Sequence, residues 1–330
     1  MSEFDAILLA GPTASGKSDL ALALAKRAPI EIVSVDSSQV YRGFDMGSAK
    51  PDASTRARVP HHLIDIRDPS EPYSAGEFVA DAIAAIHDIR SRGRMPVLVG
   101  GTMLYFNALV NGIAALPVAD PLVRQRIDER ARVIGWPALH AELARVDPEA
   151  ALRIHPNDPQ RIQRALEVFE LSGRPISAWQ RDTSPAQSLR FRRDALVPTD
   201  RVRLHERIEQ RFLKMMSDGF LGEVENLRSR PDIESCKTAM RAVGYRQLSA
   251  HLAGEYGLDE AIRRGIAASR QLAKRQMTWI RSDAGWRIWE PFDPAACERW
   301  VVEAAFVCQT AELGTSPMID LTIRGETFRG

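Results

Sequence analysis

The chain has 330 residues, 45% of them hydrophobic and 26% charged, a globular composition with enough apolar material for a sizeable core and a length that favours two domains or one core with an insertion. No apolar run approaches the roughly 20 residues of a membrane span, the acidic start Met1-Ser2-Glu3-Phe4-Asp5 does not read as a secretory signal, and Cys236, Cys297 and Cys308 are too scattered for a disulfide framework or a metal site, which suits a reducing cytoplasm. The net charge of +1 conceals a basic block: residues 190–281 carry 19 Lys/Arg against 12 Asp/Glu, whereas residues 1–110 carry 11 against 13, so an anionic partner docked on one region and a solvated basic face both stay open.

In chain order, Ile7–Ala10 reads as a buried strand ending at Gly11, and Lys17–Ala28 as a helix. Ile32–Val35, Leu63–Ile66 and Val97–Val99 read as further strands. Ser74 and Glu77 form a capping-box pattern that opens a helix to about Arg92, and Met103–Asn111 is helical. Strands alternating with helices imply a parallel sheet covered on both faces. From Leu116 to Arg190 no strand pattern appears, and prolines punctuate short helices, one of them opened by Asp158 and Pro159. The expected fold is therefore α/β: a P-loop-type parallel sheet flanked by helices, with a helical insertion domain. Residues 1–112 and 194–330 would form the core with C-terminal helices, and 113–193 the insertion. Long helices follow Asp200; residues 308–330 have no account from pattern.

Gly11-Pro12-Thr13-Ala14-Ser15-Gly16-Lys17-Ser18 matches G-x-x-x-x-G-K-[ST] between a strand and a helix. Its backbone amides and the helix N-terminus suit an anion, Lys17 suits phosphate oxygens, and the Ser18 hydroxyl suits Mg²⁺. The pattern specifies phosphate, not ATP. Asp36 follows the second strand directly and Gly100-Gly101-Thr102 follows Val97–Val99. Ligands of an open parallel sheet sit beyond the carboxyl ends of its strands, so all three positions face one rim. A carboxylate there serves as general base, metal ligand or helix cap, and position alone leaves these open. The later strand ends in Gly-Gly rather than the magnesium-linked Asp of many ATP hydrolysers; Asp65 could substitute. His61 and His62 point to opposite faces of a strand and read as structural.

Residues Asp259–Arg281 read as one helix on which Arg263, Arg270, Lys274 and Arg281 fall within about 20° of a line roughly 27 Å long. An earlier helix places Arg207, Arg211 and Lys214 away from Leu204, Ile208 and Phe212. Such rows suit a phosphate backbone. Tyr245 between Arg241 and Arg246 offers a base-stacking spot, although alone it reads as core.

Together these segments resemble the tRNA dimethylallyltransferase (tRNA isopentenyltransferase) family. The resemblance rests on GPTASGKS at Gly11–Ser18, DSSQVYRGFDMGSAKP at Asp36–Pro51, HHLID at His61–Asp65 and GGTMLYFNAL at Gly100–Leu109. NDPQRIQRALEV at Asn157–Val168, RAVGYR at Arg241–Arg246 and QLAKRQMTWIR at Gln271–Arg281 complete it, in order, across about residues 4–295. It implies that the cradle holds the diphosphate of dimethylallyl diphosphate with Mg²⁺. It also implies that Asp36 takes a proton from the exocyclic amine of the adenosine 3′-adjacent to the anticodon, in tRNAs reading codons that start with U. Lys17, the cradle amides and Arg211 would stabilise the leaving diphosphate, and Thr102 would help hold the amine. The contacts it implies with the tRNA anticodon stem-loop are Asp36-Ser37-Ser38-Gln39, Thr102, Arg124 and Gln160-Arg161-Ile162-Gln163-Arg164. Arg241-Ala242-Val243-Gly244-Tyr245-Arg246 and Lys274-Arg275-Gln276-Met277-Thr278-Trp279-Ile280-Arg281 complete that set. The expected state is a monomer, with no membrane partner. A P-loop small-molecule kinase and an RNA-binding ATPase share the cradle, but neither accounts for the whole order of motifs.

Overall fold

The computed structural model describes residues 3–183, 185, 188–233 and 235–312. Strands β1 (Ala6–Ala10), β2 (Ile30–Val35), β3 (His61–His62), β4 (Met95–Gly100), β5 (Phe191–Leu196) and β6 (Arg287–Trp289) form one parallel sheet in the order β3-β2-β4-β1-β5-β6. Every residue of β1, β2 and β4 is buried, which is why these segments read as mostly apolar runs, interrupted in β2 by the buried Glu31 and Ser34. From β1 the chain moves outward to β2 and β3, returns to insert β4 beside β1, and places β5 on the other side, so β1 lies at the topological switch point.

Helices α1 (Lys17–Ala25), α2 (Ala53–Arg58), α3 (Ala75–Ser91) and α4 (Met103–Asn111) follow in chain order. Next come α5 (Pro121–Ile134), α6 (Trp136–Val146), α7 (Pro148–Arg153), α8 (Pro159–Ser172) and α9 (Ile176–Arg181). After β5 come α10 (Arg201–Ser217), α11 (Phe220–Arg228), α12 (Tyr245–Leu252), α13 (Leu258–Arg281) and, after β6, α14 (Pro294–Glu312). The capping box at Ser74 and Glu77 is formed reciprocally, and Asp158 accepts from the Arg161 N–H with Pro159 in the first turn. The described residues divide into two compact units, Met1–Phe106 with Leu189–Gly330, and Asn107–Ser188. In the first, Ile7, Leu9, Ile32 and Val97 pack with Leu20 and Leu24 of α1 and Trp300 of α14. A second cluster of that unit gathers Phe44, Phe212, Phe220, Tyr245 and Leu248.

Three sheet segments differ from expectation, one of them the short strand β6, which no pattern signalled. Leu63 and Asp65 adopt left-handed φ of 60° and 59°, so Leu63–Ile66 is a turn and the third strand is His61–His62. The Asp65 carboxylate is drawn to Lys50 at 2.5 Å and Arg56 at 2.8 Å, which holds the turn. The strand β5, with sequence FRRDAL, escaped pattern reading and begins at Phe191, inside the range expected for the insertion. Its charges conceal it. Arg192 and Asp194 are buried and bond to each other at 2.6 Å, the Trp289 indole N–H donates to Asp194 at 2.9 Å, and Arg193 pairs with Asp283. α14 takes in residues 308–312; the remainder of the unaccounted tail lies outside the described residues.

In the unit Asn107–Ser188 the core is Ile127, Leu139, Leu143, Ile162 and Leu166. Beside it Glu167, wholly buried, accepts from the Asp120 N–H at 2.9 Å, from Arg124 at 2.9 and 3.2 Å and from Arg164 at 2.7 Å. Burial alone would raise the Glu167 pKa, but the bonds from Arg124 and Arg164 and from the Asp120 amide hold it below its ordinary value of 4.5. A depressed carboxylate contributes its stability above the unfolded pKa and loses it as pH falls through the folded one. Glu167→Gln is therefore expected to cost about 2 kcal/mol of unfolding free energy near neutral pH, discounted because both arginines reach solvent. The deficit against the parent should shrink below about pH 4. Urea denaturation at both pH values checks this; an equal deficit at both would contradict the ion-pair account.

Candidate active site

The site follows from strand register. Ala10 pairs with Gly100, and Gly100 pairs with Val35, so β1, β4 and β2 end in one row. Gly11, Gly101 and Asp36 leave the sheet side by side. After β1 the chain wraps into a cradle in which Ala14 and Gly16 take left-handed φ of 63° and 90°, turning amides inward ahead of α1. Lys17 Nζ donates to the Pro12 carbonyl at 2.7 Å, and Arg207 Nε of α10 braces the loop through the Ala14 carbonyl at 2.9 Å. The buried Ser15 Oγ finds no partner among the described residues, a polar atom that suits a cradle built for an anion.

Asp36 caps its own turn through Oδ1, which accepts from the Ser38 N–H at 2.8 Å and the Gln39 N–H at 3.3 Å. Beside it the Thr102 hydroxyl oxygen accepts from the Ser37 N–H at 3.1 Å. The loop that continues from Asp36 is fastened at two points. Lys50, almost fully buried, donates to the Tyr41 carbonyl at 2.9 Å and pairs with Asp45 and Asp65. The Glu223 carboxylate of α11 accepts from the amides of Asp45, Met46 and Gly47 at 3.0, 2.6 and 3.2 Å and from the Tyr245 hydroxyl at 2.6 Å. Gln39 Nε2 donates back to the Ser48 carbonyl at 3.2 Å, tying this loop to the Asp36 turn.

A cavity of about 640 Å³ opens over the row. Its polar wall is Thr13, Lys17, Ser18, Asp36 and Thr102 with Arg211 of α10; its apolar wall includes Leu22, Val99, Ile208, Phe212, Leu272 and Trp279. Lys17 is half-buried by area, but its ammonium is turned in to the cradle. Burial first, then repulsion from Arg211, push its pKa down to about 7, against the attraction of Asp36. The Arg211 guanidinium is also lowered by burial and held up chiefly by Asp36. Three groups expected to carry chemistry thus share one electrostatic neighbourhood.

The residues expected to touch RNA divide. Gln160, Arg161, Arg241, Arg246, Lys274, Arg275, Thr278, Trp279 and Arg281 are exposed. Ile162, Gly244, Tyr245, Gln276, Met277 and Ile280 are buried. Tyr245 packs against Phe44 and Phe220 with ring centroids 4.3 and 4.9 Å away, so it is a core residue and not a stacking platform. Arg124 and Arg164 are committed to Glu167. In the basic row, Arg270 pairs with Glu209 at 2.7 Å and Arg263 with Glu260 at 2.8 Å. Lys274, Arg275 and Arg281 meet no acid among the described residues. His62 bonds Glu31 at 2.6 Å and His61 the Val59 carbonyl at 2.7 Å, both structural. Sequence reasoning missed Arg207 as a cradle brace, along with Lys50 and Glu223. Each acts through backbone atoms far away in sequence, which no local pattern signals.

A parallel sheet with a P-loop at its switch point, opening on a cavity that also holds a carboxylate and a hydroxyl, is the arrangement of a P-loop enzyme. The family model described as IPP transferase matches residues 39–283. The chain is 57% identical to the tRNA dimethylallyltransferase of Methylococcus capsulatus over 278 residues, 84% of this chain and 89% of the relative. It is 55% identical to that of Alkalilimnicola ehrlichii over 283 residues, covering 86% and 89%. Among solved structures, a tRNA isopentenylpyrophosphate transferase from Bacillus halodurans superposes with a TM-score of 0.66 at 36% identity, covering 92% of this chain and 97% of that one. A eukaryotic dimethylallyltransferase acting on tRNA gives 0.74 at 27% identity, covering 92% and 79%. The chain belongs to the tRNA dimethylallyltransferase family.

The lowered Lys17 pKa has a measurable consequence. A diphosphate in the cradle would draw the proton back, so binding is expected to take up a proton above about pH 7 and apparent affinity to fall, by up to about tenfold per pH unit, as pH rises from there. Titration calorimetry of a diphosphate ester in buffers of different ionisation enthalpy reads the uptake. It should vanish in Lys17→Met; the same uptake in parent and variant would remove Lys17 from the cradle.

Proposed function

We propose that this protein transfers the dimethylallyl group of dimethylallyl diphosphate to the exocyclic amine of the adenosine 3′-adjacent to the anticodon, in tRNAs reading codons that start with U, and releases diphosphate. The observation that carries the reading is the single cavity that joins a phosphate cradle to Asp36 and Thr102 across an apolar wall. Such a cavity suits an ester with an anionic head and a hydrocarbon tail. One usual magnesium anchor of phosphoryl transfer is absent, since β4 ends in glycine rather than Asp.

In this reading the amine nitrogen attacks the allylic carbon, the carbon–oxygen bond breaks, its electron pair leaves with the diphosphate, and Asp36 accepts the amine proton. Lys17, Arg211 and the cradle amides take the growing negative charge. Thr102, with its hydroxyl oxygen fixed by Ser37, orients the amine. The base leaves its stack to enter the cavity. No group of three or more His, Cys, Asp or Glu among the described residues could hold a metal alone. Mg²⁺, however, keeps several waters and takes phosphate oxygens, so the Ser18 hydroxyl beside the cradle would hold it together with the diphosphate. When bound it would help neutralise the departing diphosphate. The unit built on the sheet would serve as the catalytic core and the unit Asn107–Ser188 as the insertion, whose exposed Gln160 and Arg161 would meet the anticodon stem-loop. No described helix is long and apolar enough to cross a membrane. Cys236, Cys297 and Cys308 are widely spaced along the chain, which suits a reducing compartment such as the cytoplasm.

The decisive assay supplies an anticodon stem-loop RNA carrying three adenosines, Mg²⁺, and either dimethylallyl diphosphate or ATP, and reads the RNA mass. A prenyl-sized gain is expected with the first alone, and Asp36→Asn should slow it by about 10²–10⁴ while RNA affinity holds. A phosphoryl-sized gain with ATP alone would make the protein a kinase.

The uneven row on α13 gives a separate expectation. Lys274→Ala and Arg281→Ala should each lower the slope of log affinity against log salt by about 0.7–0.9. Arg270→Ala should leave the slope unchanged, since its charge is already spent on Glu209. A slope unchanged from the parent in all three would mean a solvated face.

A further inference from the structure

Gln276 is unlike the other polar residues around it on α13. Lys274, Arg275 and Thr278 are exposed, whereas Gln276 is buried. The Thr13 N–H donates to its amide oxygen at 2.9 Å, and its amide nitrogen donates to the Gly101 carbonyl at 2.9 Å. Reversing the amide would set nitrogen against N–H and oxygen against carbonyl, so the two partners determine its orientation. Thr13 belongs to the phosphate cradle. Gly101 immediately precedes Thr102, whose hydroxyl is bonded beside Asp36. One side chain therefore spans the donor side and the acceptor side of the cavity. The fit is close, because a Cβ on Gly101 would lie 2.2 Å from the Gln276 amide nitrogen.

We propose that Gln276 is a positioning residue that sets the separation between the diphosphate cradle and the Thr102–Asp36 side, so that the adenosine nitrogen reaches the allylic carbon. The inference rests on the prenyl-transfer reading and gives Gln276 a task other than RNA contact. Displacement requires reacting atoms about 3–3.5 Å apart, and a misplacement of about 1 Å costs on the order of 10²-fold in rate. A neutral amide suits the place. It supplies one donor and one acceptor without adding charge beside a departing diphosphate; Glu lacks the donor and Met lacks both.

The test compares the full-length parent with Gln276→Met, Gln276→Glu, Gln276→Ala, Gly101→Ala and Gly101→Ala/Gln276→Ala. Single-turnover transfer is measured at saturating RNA and dimethylallyl diphosphate, and binding of RNA and of inorganic diphosphate is measured separately. Gln276→Met is expected to lose about 10²-fold in saturated rate while RNA affinity stays within about threefold. Gln276→Glu should in addition weaken diphosphate binding. Gly101→Ala should match Gln276→Met, because its Cβ expels the amide. The double variant should be no slower than Gln276→Ala, because the next atom to that Cβ is the Gly11 carbonyl oxygen at 3.4 Å. A saturated rate within about threefold of the parent, or an effect that lies wholly in RNA affinity, overturns the proposal. If Gln276→Met fails to fold, the Gly101→Ala and double-variant comparison decides. If the parent itself transfers no prenyl group, the functional reading fails first, and the melting temperatures of the Gly101→Ala pair still report the contact.

Discussion

Ala10, Gly100 and Val35 are neighbours in one hydrogen-bonded row across β1, β4 and β2, and the site depends on that row. A parallel sheet with this register must release its three chains at one level. The cradle, the Gly-Gly-Thr turn and Asp36 then lie side by side at the sheet edge. Small residues at the row matter for the same reason. A side chain on Gly100 would meet the Val35 carbonyl oxygen at 2.0 Å, pushing apart the strands whose ends must stay level.

Charge is arranged around the row so that nothing is neutralised before a ligand arrives. Lys17 and Arg211 are both pulled down by burial, repel each other across the cavity, and share Asp36 as a counter-charge. One carboxylate cannot satisfy two cations and also take a proton, so this part of the cavity suits an anionic group such as a diphosphate. Elsewhere the same chain pairs its buried charges closely. Lys50 meets Asp45 and Asp65, Arg192 meets Asp194, and Glu167 meets Arg124 and Arg164. The contrast separates charges that hold the fold from charges left for a ligand.

Much of this was legible in the sequence where the physics is local. The cradle, three strands of the sheet, the capping box at Ser74 and the α13 stripe depend on residues within a few positions of one another, and each reads directly. What was hidden depends on partners far along the chain. FRRDAL looks like a polar linker until Asp194 finds Trp289 and Arg193 finds Asp283. Leu63–Ile66 looks like a strand until Lys50 and Arg56 pull Asp65 into a turn. Tyr245 between two arginines looks like a stacking platform until Glu223 takes its hydroxyl. Motif segments also mix their two faces: in 274–281 exposed cations alternate with Gln276, Met277 and Ile280, which are buried, and only the fold separates the two sets.

That mixture on α13 has a physical logic. A helix beside a reaction cavity must grip the sheet and the cradle on one side and can offer charge only on the other. Toward its N-terminal half, Arg263 and Arg270 are neutralised by Glu260 and Glu209. Toward its C-terminal end, Lys274, Arg275 and Arg281 face no acid among the described residues, and Arg275 and Trp279 line the cavity itself. The unpaired charge is therefore concentrated where the helix meets the site, in the last turns rather than along a uniform row of about 27 Å. A phosphate chain attracted to that end would be drawn toward the cavity mouth. A uniformly charged helix would hold the same chain equally well at any point along its length and would not select a register for one base.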